Sequence, residues 1–246
     1  MRILILGGTG EATMLAKTAV AQLPQLTVQL SLAGRTQNPQ TMASVATRIG
    51  GFGGVEGLVD YLRERQVGLV IDATHPFAGK ISRNAALAAE QLGIPRLMLV
   101  RSPWQSMVGD RWSVVPDLKA AAAAVEQGEG RRVFLTIGRQ EVGVFAGLAE
   151  RWFLMRMIEP AEGAVPEGVV LLDRGPYYLD SELAILKRHA IDLVVSKNSG
   201  GPATYAKIEA ARQLGLGVVM IDRPAIPESE TVETVAGAID WLRSRV

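Results

Sequence analysis

The chain has 246 residues, 48% of them hydrophobic and 21% charged, and its 26 lysines and arginines balance 25 acidic residues to a formal net charge of +1. That composition excludes a disordered chain and one that coats nucleic acid, and the length suits one large or two small domains. With no cysteine, and with only His75 and His189 far apart in sequence, it also excludes disulfides, thiolate catalysis and a metal site built on Cys or His. No apolar run reaches about 18 residues, and the first residues read as a strand rather than a signal peptide, so a cytoplasmic protein without a membrane span is expected.

Strand-length apolar runs alternate with helical patterns almost throughout. Strands are predicted at Ile3–Leu6, Thr27–Leu32, Leu69–Asp72, Arg96–Val100, Val133–Ile137, Trp152–Met157, Leu193–Ser196 and Val218–Ile221. Helices are predicted at Ala12–Leu23, Val55–Gln66, Gly79–Leu92, Leu118–Gln127, Glu141–Ala149, Ser181–His189 and Thr204–Leu214, with a closing helix over Thr231–Arg245. Continuously apolar strands alternating with helices mean an α/β fold with parallel sheets and right-handed crossovers.

A faint internal repeat argues for two sheets. An offset of 122 sets Ala88-Ala89 on Ala210-Ala211, Gln91-Leu92-Gly93 on Gln213-Leu214-Gly215, Met98 on Met220 and Arg101 on Arg223. An offset of 130 sets the first strand on Val133–Ile137, Gly8 on Gly138 and Glu11 on Glu141. The expected architecture is therefore two Rossmann-like parallel-sheet domains with an interdomain cleft at the strand C-termini. Residues 1–101 form the first domain, 102–129 a connecting segment, and 130–246 the second domain with its closing helix.

The first strand runs straight into Gly7-Gly8-Thr9-Gly10-Glu11-Ala12-Thr13 and then a helix. A glycine turn opening a helix exposes unpaired N–H groups and the positive end of the helix dipole, which suits a pyrophosphate. Thr13 stands where the usual dinucleotide fingerprint has its third glycine, and a turn that only lets the helix pack on its strand would read similarly. The second strand exits into Ala33-Gly34-Arg35-Thr36, where this fold reads the adenosine ribose. No acid lies between Glu11 and Glu56 to hold a free 2′-hydroxyl, so Arg35 with Thr36 points to the 2′-phosphate of NADP; a solvated loop arginine is the plainer alternative. Gly50-Gly51-Phe52-Gly53-Gly54 offers a lid, a second anion contact or simply a mobile loop.

The third strand exits into Asp72-Ala73-Thr74-His75-Pro76-Phe77-Ala78, where the nicotinamide half would lie. His75 titrates near neutrality and is the candidate proton donor, Phe77 offers a ring surface, and Asp72 reads as a cap. In the other half, Ser196-Lys197-Asn198-Ser199-Gly200-Gly201 precedes Thr204-Tyr205-Ala206-Lys207, and the offset of 122 sets Thr74-His75 opposite Ser196-Lys197. A lysine, hydroxyls and an amide before a diglycine make an oxyanion pocket; a helix-capping turn explains the serine and glycines but not Lys197 and Asn198. Tyr205 and Lys207, two apart, fall on different helix faces and make no catalytic pair. Arg101, Arg139, Arg156, Arg174 and Arg223 all lie near strand ends; converging, they would hold a polyanion, with Gly175-Pro176-Tyr177-Tyr178 as an aromatic wall.

Together these segments, ending with Ile221-Asp222-Arg223-Pro224, resemble the precorrin-6A (precorrin-6X) reductase family of cobalamin biosynthesis, in order and over nearly the whole chain. The opening glycine turn is generic; Thr-His-Pro-Phe-Ala and Ser-Lys-Asn-Ser-Gly-Gly are specific to the resemblance. It implies an NADPH-dependent enzyme that saturates one macrocycle double bond of precorrin-6A to give precorrin-6B, with the active site between two Rossmann-like domains. On this reading Gly8, Thr9, Gly10, Glu11 and Ala12 cradle the pyrophosphate, with Gly53 and Gly54 as further cofactor contacts. Arg35 and Thr36 read the 2′-phosphate, and Thr74, His75, Pro76 and Phe77 flank the nicotinamide. Lys197 and Asn198 reach the cofactor from the other half, and Arg101, Arg139, Lys197, Ser199, Gly200 and Arg223 hold substrate carboxylates; His75 and Lys197 are the catalytic candidates. No metal, nucleic acid or membrane is expected, and neighbouring pathway enzymes are the expected transient partners. A cobalt-precorrin-6A reductase using NADH, a non-catalytic NADP- and tetrapyrrole-binding protein and a two-domain glycosyltransferase are the alternatives.

Overall fold

The continuous apolar runs become parallel strands because both of their faces need cover, and the helices between them supply it. A computed structural model describes residues 1–34 and 45–246 and divides them into two units, residues 1–102 with 225–246, and residues 103–224. Each unit holds one six-stranded, all-parallel sheet.

In the first unit the chain runs through β1 (Arg2–Leu6), α1 (Gly10–Gln22), β2 (Thr27–Leu32), β3 (Ala46–Ile49), α2 (Val55–Glu64), β4 (Val67–Asp72), α3 (Gly79–Leu92) and β5 (Arg96–Leu99). In the second it runs through β6 (Arg111–Val115), α4 (Leu118–Gln127), β7 (Arg132–Thr136), β8 (Trp152–Met157), β9 (Gly168–Leu172), α5 (Leu179–Arg188), β10 (Leu193–Lys197), α6 (Ala206–Gln213) and β11 (Gly217–Ile221). It then returns to the first unit for β12 (Glu230–Val232) and α7 (Val235–Arg243). On β1 the side chains alternate: Ile3 and Ile5 pack with α1 and α7, and Leu4 and Leu6 with α2 and α3. In the second unit Phe134, Leu154, Val194 and Met220 pack with Leu186 of α5 and Ile208 of α6.

The sheet orders are β12-β5-β4-β1-β2-β3 and β6-β11-β10-β7-β8-β9, the same topology place for place. The register refines the repeat. Leu6 pairs with Asp72 and Thr136 with Ser196, so the offset of 130 puts Asp72, not Thr74, at the place of Ser196. One strand further, Asp72 pairs with Met98 and Ser196 with Met220, which restores the offset of 122. Gly93 and Gly215 end their helices alike, with φ of +64° and +66°.

Four expectations are corrected. The closing helix does not belong with the second sheet: β12 pairs with β5, and α7 buries Ala238, Ile239 and Leu242 in the core over α1. Its predicted start at Thr231 is instead strand, because Thr231 and Val232 are β-branched and Thr234 caps α7 by accepting from the Gly237 N–H at 3.1 Å. The segment 102–129 is not a connector, since it contributes β6 and α4 to the second sheet and the Asp117 side chain caps α4. The helix predicted over 141–149 is only a 3-10 turn at Val142–Phe145, where Gly143 and two valines disfavour an α-helix and no side chain caps it.

Candidate functional site

In the first unit the β1–α1 turn is held by one side chain. Thr9, in extended conformation, caps α1 by accepting from the Ala12 N–H at 3.1 Å and donates to the Ala73 carbonyl at 2.8 Å, tying the turn to the exit of β4. Gly8 has φ +117°, which a side chain would strain, and a Cβ on Gly8 or Gly10 would have no atom within 4 Å. The turn therefore offers an uncovered backbone face at a helix N-terminus, which fits a phosphate-bearing dinucleotide. Glu11, in the first turn of α1, takes a bidentate bond from Arg101, with Nη1 2.9 Å from both carboxylate oxygens. That pair cancels a carboxylate charge that would otherwise repel a phosphate.

Thr9, Glu11 and Arg101 line one recess with Thr74 and Pro76. At the exit of β4 the buried Asp72 accepts from the N–H and the hydroxyl of Thr74 at 3.1 and 2.7 Å, the capping role expected of it. Half-buried His75 accepts from the Phe77 N–H through Nδ1 at 3.2 Å, so the neutral ring carries its proton on Nε2. Its ring lies 5.8 Å from that of Phe77. Gly53 and Gly54 sit elsewhere, at the start of α2 beyond β3, with φ of +79° and +110°. Arg35 and Thr36 lie outside the described residues.

In the second unit Lys197 ends β10 and donates to both carboxylate oxygens of Glu141 at 2.6 Å. Glu141 follows Gly138 (φ +96°) as Glu11 follows Gly8, so the repeat keeps the acid and moves its cation from Arg101, two residues past β5, to Lys197 at the end of β10. Asn198 is committed to a brace: its Oδ1 accepts from Trp104 N–H at 2.7 Å and its Nδ2 donates to Trp104 O at 3.1 Å. Trp104 Nε1 donates to Gly201 O at 2.8 Å. Arg223 holds the same loop, donating to the carbonyls of Asn198 and Ser199 at 2.9 and 3.1 Å. These bonds fix the Lys197–Gly201 segment from both sides. Arg139 turns to Glu159, Glu162 and the Pro160 carbonyl. Trp104 escaped the sequence reading; its signal was a lone tryptophan in an otherwise polar stretch after Arg101.

Arg156 is corrected as a cleft cation. It is buried in an ion pair with Glu182 and stacks 3.6 Å from the Tyr177 ring, so that tyrosine faces an internal guanidinium rather than a ligand. Burial pushes the Tyr177 phenol up, against the Arg156 charge. Lys207 lies beside them, its amine 2.7 Å from Thr204 O and 4.8 Å from the Trp104 ring; burial, with Arg156 adding to it, brings its pKa down to about 7.

Among the described residues no helix is long and apolar enough to cross a membrane. A family described as precorrin-6x reductase CbiJ/CobK matches residues 2–243. A precorrin-6A reductase from Rhodococcus erythropolis is 49% identical over 98% of this chain and 97% of its own, and one from Rhodobacter capsulatus is 45% identical over 98% and 95%. A cobalt-precorrin-6A reductase from Priestia megaterium is 29% identical over 98% and 97%. A solved structure titled CobK precorrin-6A reductase superposes with a TM-score of 0.91 at 44% identity, covering 99% of this chain and 96% of that one.

Proposed function

This chain belongs to the precorrin-6x reductase CbiJ/CobK family, and from that premise we propose that it reduces one double bond of precorrin-6A with NADPH, giving precorrin-6B in cobalamin biosynthesis. The observation that carries the cofactor half is the uncovered Gly8–Gly10 backbone at the start of α1, pinned by Thr9 to the exit of β4 beside Thr74–Phe77. A reduced nicotinamide dinucleotide, when bound, supplies the hydride. The N–H groups of Thr9, Gly10 and Glu11 bind its pyrophosphate, with Ala12 N–H kept by the Thr9 cap, and Glu11 keeps Arg101 in place beside them. Thr74, Pro76 and Phe77 shape the nicotinamide end. His75 offers its Nε2 proton to the carbon that does not take the hydride.

Lys197, with Ser199 and Gly200 behind it, binds acetate and propionate carboxylates of the macrocycle, and Glu141 orients its amine until a carboxylate competes for it. Arg223 and Asn198 serve by holding that loop. The metal-free macrocycle is favoured over the cobalt form because identity is 45–49% to the precorrin-6A reductases named above and 29% to the cobalt-precorrin-6A reductase. We place the reaction in the cytoplasm.

Titrating the protein with NADPH, NADH and a nucleotide-sugar tests the cofactor reading; NADPH is expected to bind tightest. Adding precorrin-6A should then bleach nicotinamide absorbance faster than adding its cobalt counterpart. Binding of both ligands without loss of absorbance would leave a non-catalytic carrier, and preference for a nucleotide-sugar would overturn the reductase reading.

A further inference from the structure

Arg48, on edge strand β3, is a cation that the proposed cofactor contacts leave out. Its guanidinium lies 3.9 Å over the ring of Phe52 and 5.2 Å from that of Tyr61, and the two rings meet edge-on at 5.1 Å. From that stack Nη1 donates to Gly50 O at 2.7 Å and to Ser31 Oγ at 3.2 Å, and Nη2 donates to Gly51 O at 3.0 Å. One side chain thus gathers two successive carbonyls of the Gly50–Gly54 loop and ties them to β2.

The consequence follows from peptide geometry. In a trans peptide the N–H points opposite to the C=O. With the carbonyls of Gly50 and Gly51 drawn to Arg48, the N–H groups of Gly51 and Phe52 are turned away from it. Neither N–H donates to a backbone carbonyl among the described residues. A Cβ on Gly51 would have no atom within 4 Å, so this side of the loop is open. The loop is also fixed in place: Gly50 N–H donates to Leu32 O at 2.9 Å, and a Cβ on Gly34 would stand 3.1 Å from Ile49 Cγ2. Gly57 lacks a side chain where a Cβ would strike the Phe52 carbonyl, which lets the loop settle on the first turn of α2. The loop therefore borders the exit of β2, where this fold reads the sugar at the adenosine end of a dinucleotide.

We infer that Arg48 is a specificity-determining positioning residue: it turns the Gly51 and Phe52 amides outward as donors for a phosphate on the adenosine ribose, so that NADPH is chosen over NADH. The inference rests on the dinucleotide reading above. Arg48 need not touch the phosphate. Its fork sets the peptide planes, and its charge lies behind the donors, a combination that suits an anion and adds little for a free hydroxyl.

The test is the dissociation constant of the whole protein for NADPH and for NADH, by calorimetry, before and after Arg48→Met and Arg48→Lys. Arg48→Met should weaken NADPH about 10- to 100-fold and NADH less than about 3-fold, the size expected when hydrogen bonds to a charged group are lost. Arg48→Lys keeps the charge but not the fork and should also lose selectivity; it carries the test if the methionine variant does not fold. Equal weakening of both cofactors, or no change in either, overturns the role of Arg48. If the unsubstituted protein itself fails to prefer NADPH, the cofactor reading falls and takes this inference with it. That outcome is visible before any variant is made.

Discussion

Lys207 is 3% exposed, and its amine is held by Thr204 O and the Trp104 ring with Arg156, Glu182 and Tyr177 close by. Desolvation is the first cause of its low pKa, Arg156 lowers it further, and Glu182 opposes them. In the unfolded chain the amine keeps its proton up to about 10.5, whereas in the folded chain it loses it near 7. Between those values the unfolded state binds more protons, so this group adds stability as pH rises through the window, and the whole gain is lost once pH falls below about 7. Urea unfolding followed by tryptophan fluorescence should show it. Relative to Lys207→Met, the natural protein should gain up to about 1.4 kcal/mol per pH unit between pH 7.5 and 9.5. A difference that stays flat would mean the amine is charged inside the fold. His75 is the other single residue open to a clean test. Its Nδ1 is occupied by the Phe77 N–H, which puts the ring proton on Nε2, the atom from which the proposed donation would come. His75→Ala should therefore lower kcat about 100-fold at saturating NADPH. An unchanged kcat would assign the proton to water.

At the scale of elements, the eight strands read from the sequence are those with neighbours on both sides, and the four that escaped it, β3, β6, β9 and β12, are the four sheet edges. The physical reason is burial. An inner parallel strand needs apolar residues on both faces and shows a continuous run, as in Ile3–Leu6, whereas Ala46–Ile49 and Glu230–Val232 are half exposed and carry Arg, Thr and Glu. Val169 to Leu172 did carry a strand signal; those valines are exposed at the edge rather than buried. The same logic divides the candidate sites. Turns that follow inner strands were legible because polar residues break an apolar run there, and so the Gly8–Ala12, Thr74–Phe77 and Lys197–Gly200 segments stood out. What those side chains touch was not legible. No pattern in sequence announces that Asn198 spends its amide on Trp104, that Arg101 closes on Glu11 across 90 positions, or that Arg48 gathers a loop two residues away.

At the scale of the whole molecule, each sheet takes an edge strand and a helix from beyond the point where the chain first leaves its neighbour. β6 follows β5 in the chain but pairs with β11, and β12 follows β11 but pairs with β5. The first unit therefore stays incomplete until the last residues arrive. Those residues bring Ile239, Trp241 and Leu242 into its core, a bond from Trp241 Nε1 to Glu230 at 2.9 Å and one from Arg243 to Gln22 at 2.8 Å. At about 2 kcal/mol for each large apolar side chain buried, their removal costs about 6 kcal/mol, comparable with the whole stability of a domain. Ending the chain after Pro224 deletes none of the residues proposed for either site and no element of the second sheet. Hydrogen exchange on that truncated chain should nonetheless show β1, β2, β4 and β5 losing protection while β7, β8, β10 and β11 keep theirs, and NADPH binding should be lost. Protection retained in β1 and β4 would mean that the first sheet stands without its borrowed edge. The last strand and helix would then be an attachment rather than the element that completes the unit proposed to hold the cofactor.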